Sequence, residues 1–141
     1  MGVSFTGGWD KIRQYLQGDW KDKAKPVALK RVATYYERQI KNNIITGGAL
    51  TGKPFEPLAE STIRRKGSSK PLIDTGEMLA SIKAEQIDDN TAFVGIRSGT
   101  RHGGGKEDTA LIAAAHEFGA LVSGGDVPAR PFIQPVLNDE K

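Results

Sequence analysis

The sequence predicts an α+β fold: one long amphipathic helix and shorter helices packed on a small antiparallel sheet. Three observations carry this. Residues 23–45 keep a helical spacing of apolar positions over more than twenty residues. Residues 72–82 open with a helix start signal. Residues 82–97 read as two strands around Asp89-Asn90. A chain of 141 residues suits one core. The expected division is an N-terminal arm or short helix over residues 1–22, one α+β domain over 23–137 with a flexible loop at 98–109, and a short tail at 138–141.

In the first segment, Trp9, Ile12, Leu16 and Trp20 recur every three or four residues, which fits a short amphipathic helix ending near Gly18. The same two tryptophans, Trp9 and Trp20, are candidate anchors of an arm that docks on a neighbouring subunit. The long helix over 23–45 is expected to line one face with Ala28, Val32, Tyr35, Tyr36, Ile40 and Ile44. Lys30, Arg31, Thr34, Glu37, Arg38 and Lys41 line the other. Glu37 and Lys41 stand at i,i+4 in the favourable order. Pro26 fits a first turn, and Gly47-Gly48 stops the helix.

Residues 46–57 hold too many glycines and prolines for regular structure. Pro57 is then expected to open a short helix through Lys66. Its Glu60 stands early and its Arg64, Arg65 and Lys66 late, as the helix dipole favours. In residues 72–82, Asp74 and Glu77 have capping-box spacing, and Ile73 and Met78 occupy the staple positions. Two carboxylates so placed also admit an acid–base reading, but capping accounts for both. Strands are expected at 82–88 and 91–97, with Ala92, Val94 and Ile96 alternating on one face. Asp89 and Asn90 both tolerate the positive φ of a two-residue turn.

Residues 98–109 read as a flexible loop. Gly103-Gly104-Gly105-Lys106 lacks the spacing of a phosphate-gripping loop. Residues 110–118 read as a short helix with Thr109 as N-cap and Gly119 at its end. His116-Glu117 suggests a zinc protease, yet that motif needs a histidine at position 120, where alanine stands. The final stretch holds two prolines flanking Ala129-Arg130, followed at once by Phe132. Each proline fixes its own φ and extends the residue before it. Residues 127–132 are therefore expected to be stiff and extended, with Arg130 and Phe132 docking on an adjacent subunit and Glu117 pairing with Arg130.

Composition excludes several classes. There is no cysteine, hence no disulfide or thiolate metal site. No apolar run approaches the length of a membrane span, and the first residues lack the basic and apolar regions of a signal peptide. No cofactor motif is present. The net charge of +3 and pI near 9.2 are mildly basic, with local patches at 21–31 and 64–70.

The order PLIDTGEMLASI, a hairpin ending FVGI, AAAHEFGA and VPARPFI resembles the phage virion-morphogenesis proteins. These are the tail-completion proteins of Mu-like phages and prophages, related to head–tail joining proteins of other long-tailed phages. The upstream FEPLAESTIRRKG resembles a segment of the same family. The resemblance spans about residues 24–137 and departs in alanines 113–115, where the family often has a tyrosine, and in a longer glycine-rich loop. It implies a non-enzymatic structural protein of the virion tail or neck, made in the host bacterial cytoplasm. Such proteins form rings, sixfold in the particle, at the head-proximal end of the tail. They complete or terminate the tail and join it to the head, with tail-tube or terminator proteins and head-connector proteins as partners and DNA passing through. The matching positions are Asp74, Thr75 and Gly76; His116, Glu117, Phe118 and Gly119; and Pro128, Ala129, Arg130, Pro131 and Phe132. Rival readings are a head-side connector of the neck, a non-specific DNA-binding protein, and a small hydrolase on His116, Glu117 and Asp74, which lacks a nucleophile motif.

Overall fold

A computed structural model of the chain describes residues 20–101 and 107–138. The fold is α+β, with one long helix, four shorter ones and two small antiparallel sheets among these residues. The expected helix over residues 9–18, the Trp9 anchor and Gly103 to Lys106 lie outside them.

Helix α1 (Trp20–Ile45) is 26 residues long, about 39 Å at the rise of an α-helix. It starts three residues earlier than expected, so Trp20 is its first residue. Pro26 therefore lies in the second turn and not the first, where it removes the bond to the Asp22 carbonyl. The expected face holds in the second half of the helix, where Tyr36, Ile40 and Ile44 turn inward, and is rotated in the first half. Ala33, Ile40, Asn43 and Ile44 are buried, with Leu29 and Tyr36 beside them, whereas Ala28, Val32 and Tyr35 are exposed. The chain carries two adjacent apolar stripes one residue apart, about 100° around the helix. Only one of them meets the sheet and the core. Glu37 and Lys41 pair as expected at 2.6 Å. Glu37 also accepts from the Ala84 N–H at 2.7 Å, which pins α1 to the first strand. Its carboxyl is held below the usual carboxylate range, chiefly by the Lys41 hydrogen bond.

Residues 46–57 are irregular except for one 3-10 turn, Ala49–Thr51. Helix α2 is Glu60–Lys66, with Ala59 at its N-cap and Gly67 at its C-cap. Pro57 thus precedes the helix rather than opening it. Helix α3 is Glu77–Ser81, and its N-cap is Gly76, not Asp74. The expected capping box does not form, because the helix begins at Glu77 itself. The nearest substitute is Thr75, whose hydroxyl accepts from the Glu77 N–H at 3.4 Å. The turn is set upstream, where Leu72 takes a φ of 61° while its side chain stays in the core. Burial of a bulky residue holds it in a backbone region it rarely visits.

Strands β1 (Lys83–Gln86) and β2 (Ala92–Gly95) pair antiparallel with Ala84 opposite Val94. They are shorter than expected, and the turn falls at Asp89-Asn90 as expected, but neither residue takes the positive φ of the expected turn type. The Asn90 N–H reaches the Asp88 carboxylate at 2.7 Å, and Lys25 of α1 donates to the Asn90 side chain. This hairpin lies against α1. Helix α4 (Thr109–Phe118) is capped by Asp108, whose side chain accepts from the Ala110 N–H at 3.0 Å. Thr109, expected as the cap, is the first helical residue and fully buried. Asp108 also holds Ser98 at 2.9 Å and the Gly99 N–H at 2.8 Å. The described flanks of the glycine-rich loop are therefore tied together, and these bonds, led by Gly99, depress the Asp108 carboxyl.

Two elements were not anticipated. Strands β3 (Ala120–Val122) and β4 (Gly125–Val127) form a second hairpin, and α5 (Gln134–Leu137) follows the proline-rich stretch. The core gathers Ile40 and Ile44 of α1, Phe55, Leu72, Met78, Ile82, Ala113, Phe132 and Val136. No helix among the described residues is long and apolar enough to cross a membrane.

Candidate functional site

Two of the sequence motifs that stand apart in the chain, residues 116–119 and 128–132, meet in space, and Phe132 is where they meet. Its side chain is 0% exposed and belongs to the core. Its carbonyl accepts from Asn43 of α1 at 3.3 Å, and Asn43 in turn accepts from Thr51 at 3.4 Å. Its N–H reaches Glu117 at 2.8 Å.

Glu117 is buried near the end of α4, and its carboxylate gathers three consecutive backbone donors. Oε2 takes the N–H groups of Phe132 and Ile133, at 2.8 and 3.0 Å, and Oε1 takes that of Gln134 at 2.8 Å. The orphan donors at the start of α5 are thereby satisfied from another helix. The negative charge also sits where the α5 dipole favours it.

Arg130 faces the other way. Its Nε donates to the Glu56 carbonyl at 2.6 Å and its Nη2 to the Pro57 carbonyl at 2.9 Å. Its backbone N–H donates to the His116 carbonyl at 2.6 Å. The expected Glu117–Arg130 pair does not form, because Glu117 is committed to α5 and Arg130 to residues 56–57. Nor do Arg130 and Phe132 form a docking surface. At 4% and 0% exposure they are sealed inside the chain's own fold. The proline-flanked segment is an internal clamp that sews α4 to α1 and to the Phe55–Pro57 strip.

The remaining motif residues fit around it. Gly119 has φ 78°, and a Cβ there would stand 3.3 Å from both the Val127 carbonyl and the Ala129 N–H. Only glycine lets the chain leave α4 and pass so close to the returning strand. Pro128 is half-buried, while Ala129 and Pro131 are exposed. Asp74 and Thr75 are exposed at the surface before α3.

His116 is half-buried with its Nδ1 enclosed and without a hydrogen-bond partner. Burial holds the imidazole below its ordinary pKa, and the cations Arg130 and Lys66 push the same way. Lys66 is itself drawn down by burial, with Asp74 opposing. Burial also works against the Arg130 charge, though a guanidinium stays protonated. Among the described residues there is no group of three or more His, Asp or Glu side chains placed to hold a metal.

The outer side of the same elements is different in kind. Phe118 is 73% exposed and Leu111, on the same helix, 72%. Phe118, but not Leu111, also lines an apolar groove of about 340 Å³ between α4 and α5, whose other α4 residues are Ala110, Ala113, Ala114 and Glu117. The β3–β4 hairpin lies next in the chain, with Leu121 89% exposed and Val122 also open. Sequence reasoning singled out Phe118 but not Leu111, Leu121 or Val122. Leu111 and Phe118 lie seven residues apart, two helical turns, and so share a face. That face lies opposite the one that Ala113 and Glu117 give to the interior.

No family model, no curated protein and no solved structure matches the chain. The resemblance rests on the residues quoted for it.

Proposed function

We propose that the chain is a structural subunit of a phage particle or phage-like tail. In this reading it completes or terminates the tail at its head-proximal end, as a ring that is hexameric in the particle, and so permits head–tail joining. It is made in the host cytoplasm and ends in the virion.

The observation that carries the reading is the two-sided character of α4. Its inner side, with Glu117 and Ala113, locks the motif residues into one fold. Its outer side leaves Leu111 and Phe118 open, Phe118 reaches the rim of the apolar groove between α4 and α5, and the exposed Leu121 and Val122 follow within four residues of Phe118 in the chain. Exposed apolar surface concentrated in one region marks a protein–protein contact. The hairpin argues for the same role, because its strands have three residues each and, among the described residues, no third strand beside them. A two-stranded ribbon of that size is marginal alone. A neighbouring copy that covers Leu121 and Phe118 stabilises it, at about 1.5–3 kcal/mol for each large side chain fully buried. A knob at the hairpin and a groove at α4–α5 on one subunit also suit a head-to-tail contact, which makes a ring where the rotation between copies closes.

Electron microscopy of a lysate from particles lacking this gene tests the proposal. Packed heads beside separate tails of normal length are expected for a joining protein, and tails of irregular length for a terminator. Unjoined heads that have lost their DNA indicate a head-side connector. Intact infectious particles contradict the proposal.

A further inference from the structure

Apart from the clamp and the apolar face, one more surface has a distinct chemistry. The exposed flank of α1 and Gln86 of β1 enclose a shallow groove of about 580 Å³. Its charged lining residues are Lys30, Arg31 and Arg38, all cations and all exposed; no carboxylate lines it. Glu37, the nearest acid on the helix, is turned to Lys41 and the Ala84 N–H on the other flank. Lys30, Arg31 and Arg38 make no ion pair among the described residues. Tyr35, 56% exposed, supplies an aromatic edge.

We infer that this flank of α1 is a docking surface for the phosphodiester backbone of double-stranded DNA. Charge complementarity is the first argument: three uncompensated cations face outward from one groove. Geometry is the second. Arg31 and Arg38 are seven residues apart on a continuous helix, about 10.5 Å along its axis. Duplex DNA presents one negative charge per roughly 1.7 Å of its own axis. A straight helix laid along the duplex therefore meets phosphates at each cation without ordering a loop. Two of the three cations are arginines, whose planar fork matches phosphate oxygens. Contacts of this type hold the backbone without reading bases, so binding is indifferent to sequence. The basic patch at α2 is a poorer candidate. It contains Glu60, and its Lys66 is spent on the Lys70 carbonyl at 2.6 Å. The inference does not rest on the assembly reading, since α1 and α4 offer different surfaces.

Fluorescence anisotropy with labelled duplexes of about 20 base pairs and two unrelated sequences tests it, read as a salt titration. Three phosphate contacts give a slope of log K against log salt of about −3, equal for both sequences. Arg31→Gln and Arg38→Gln each reduce the slope by about 1, while Arg64→Gln leaves it unchanged. All three variants keep the wild-type melting temperature, because none of these side chains has a folded-state partner. Absence of duplex binding by the wild-type chain overturns the inference. So does a slope unaffected by Arg31→Gln and Arg38→Gln. Tighter binding of a polyglutamate peptide than of the duplex at equal salt also overturns it, and reassigns the groove to an acidic protein segment.

Discussion

Glu117 is the residue whose removal most sharply tests the clamp. Its carboxylate accepts three backbone N–H groups, from Phe132, Ile133 and Gln134, at 2.8, 3.0 and 2.8 Å. Hydrogen bonds to a charged group contribute about 1.5–3 kcal/mol each, so three set a ceiling of roughly 4.5–9 kcal/mol. The net loss in Glu117→Ala is smaller. Only the Phe132 donor is fully buried, and water reaches the half-buried donors of Ile133 and Gln134 once the side chain is gone. About 3–5 kcal/mol is expected. For a chain of this size each kcal/mol moves the melting midpoint by about 3–5 °C, giving a drop of roughly 9–25 °C. Glu117→Gln keeps an acceptor for two of the three donors but sets an amide against the third. It is expected to cost about 1–2 kcal/mol. Thermal and urea denaturation followed by circular dichroism measure both. A Glu117→Ala protein that melts within about 1 °C of wild type refutes the reasoning, because the three bonds would then carry no net stability.

Three further outcomes follow from the same structure. Phe132→Ala empties a fully enclosed site and should lose about 3–5 kcal/mol in urea denaturation, a folding defect and not a selective loss of assembly. Gly48→Ala should be more harmful than Gly52→Ala in the same assay. Both positions have positive φ, but a Cβ at 48 would stand 2.1 Å from the Lys53 carbonyl while one at 52 meets nothing; about 1 kcal/mol is expected at 52 and more at 48. The third concerns His116. Its folded pKa is lowered from 6.5, so the unfolded chain takes up the proton first. Stability is then complete above the unfolded value and falls as pH drops from there toward the folded one. Urea midpoints between about pH 5 and pH 8 should decline toward acid in wild type more steeply than in His116→Gln.

Legibility in the sequence followed how local the determining interaction is. The place of the β1–β2 turn was readable from Asp89-Asn90, but not its conformation: neither residue takes the expected positive φ, and the Asp88 carboxylate on the Asn90 N–H holds the turn instead. The end of α4 was readable because a glycine follows it. The existence of α1 and its buried Ile40 and Ile44 were readable, but not the rotation of its first half, since the Ala28–Val32–Tyr35 stripe and the Leu29–Ala33–Tyr36 stripe are both apolar. Tertiary packing chose between them. Asp74 has every local mark of a cap, yet the burial of Leu72 and the Gly76 turn start the helix later. The β3–β4 hairpin left a signal, Ser123-Gly124 between Val122 and Gly125, that was masked by its neighbour Gly125.

The site shows the same limit. The motifs were found at the correct residues, but an arginine and a phenylalanine between prolines look alike whether they serve a neighbour or their own core. The deciding contacts join Arg130 to residues 56 and 57, and Phe132 to Asn43, across more than seventy positions. No pattern within one segment encodes them. Phe118 was placed in the motif without any indication that it points outward, because its exposure depends on which side of α4 the core takes.

The central claim is that α4 and the β3–β4 hairpin fold the subunit on one side and assemble it on the other. Complementation of a gene-deleted lysate with Leu121→Asp tests it most directly, alongside thermal denaturation of the purified variant. Leu121 is 89% exposed, so the substitution should leave the melting midpoint within about 2 °C of wild type. The account predicts a folded protein that restores no joined particles. Wild-type numbers of joined particles from that folded variant would contradict it.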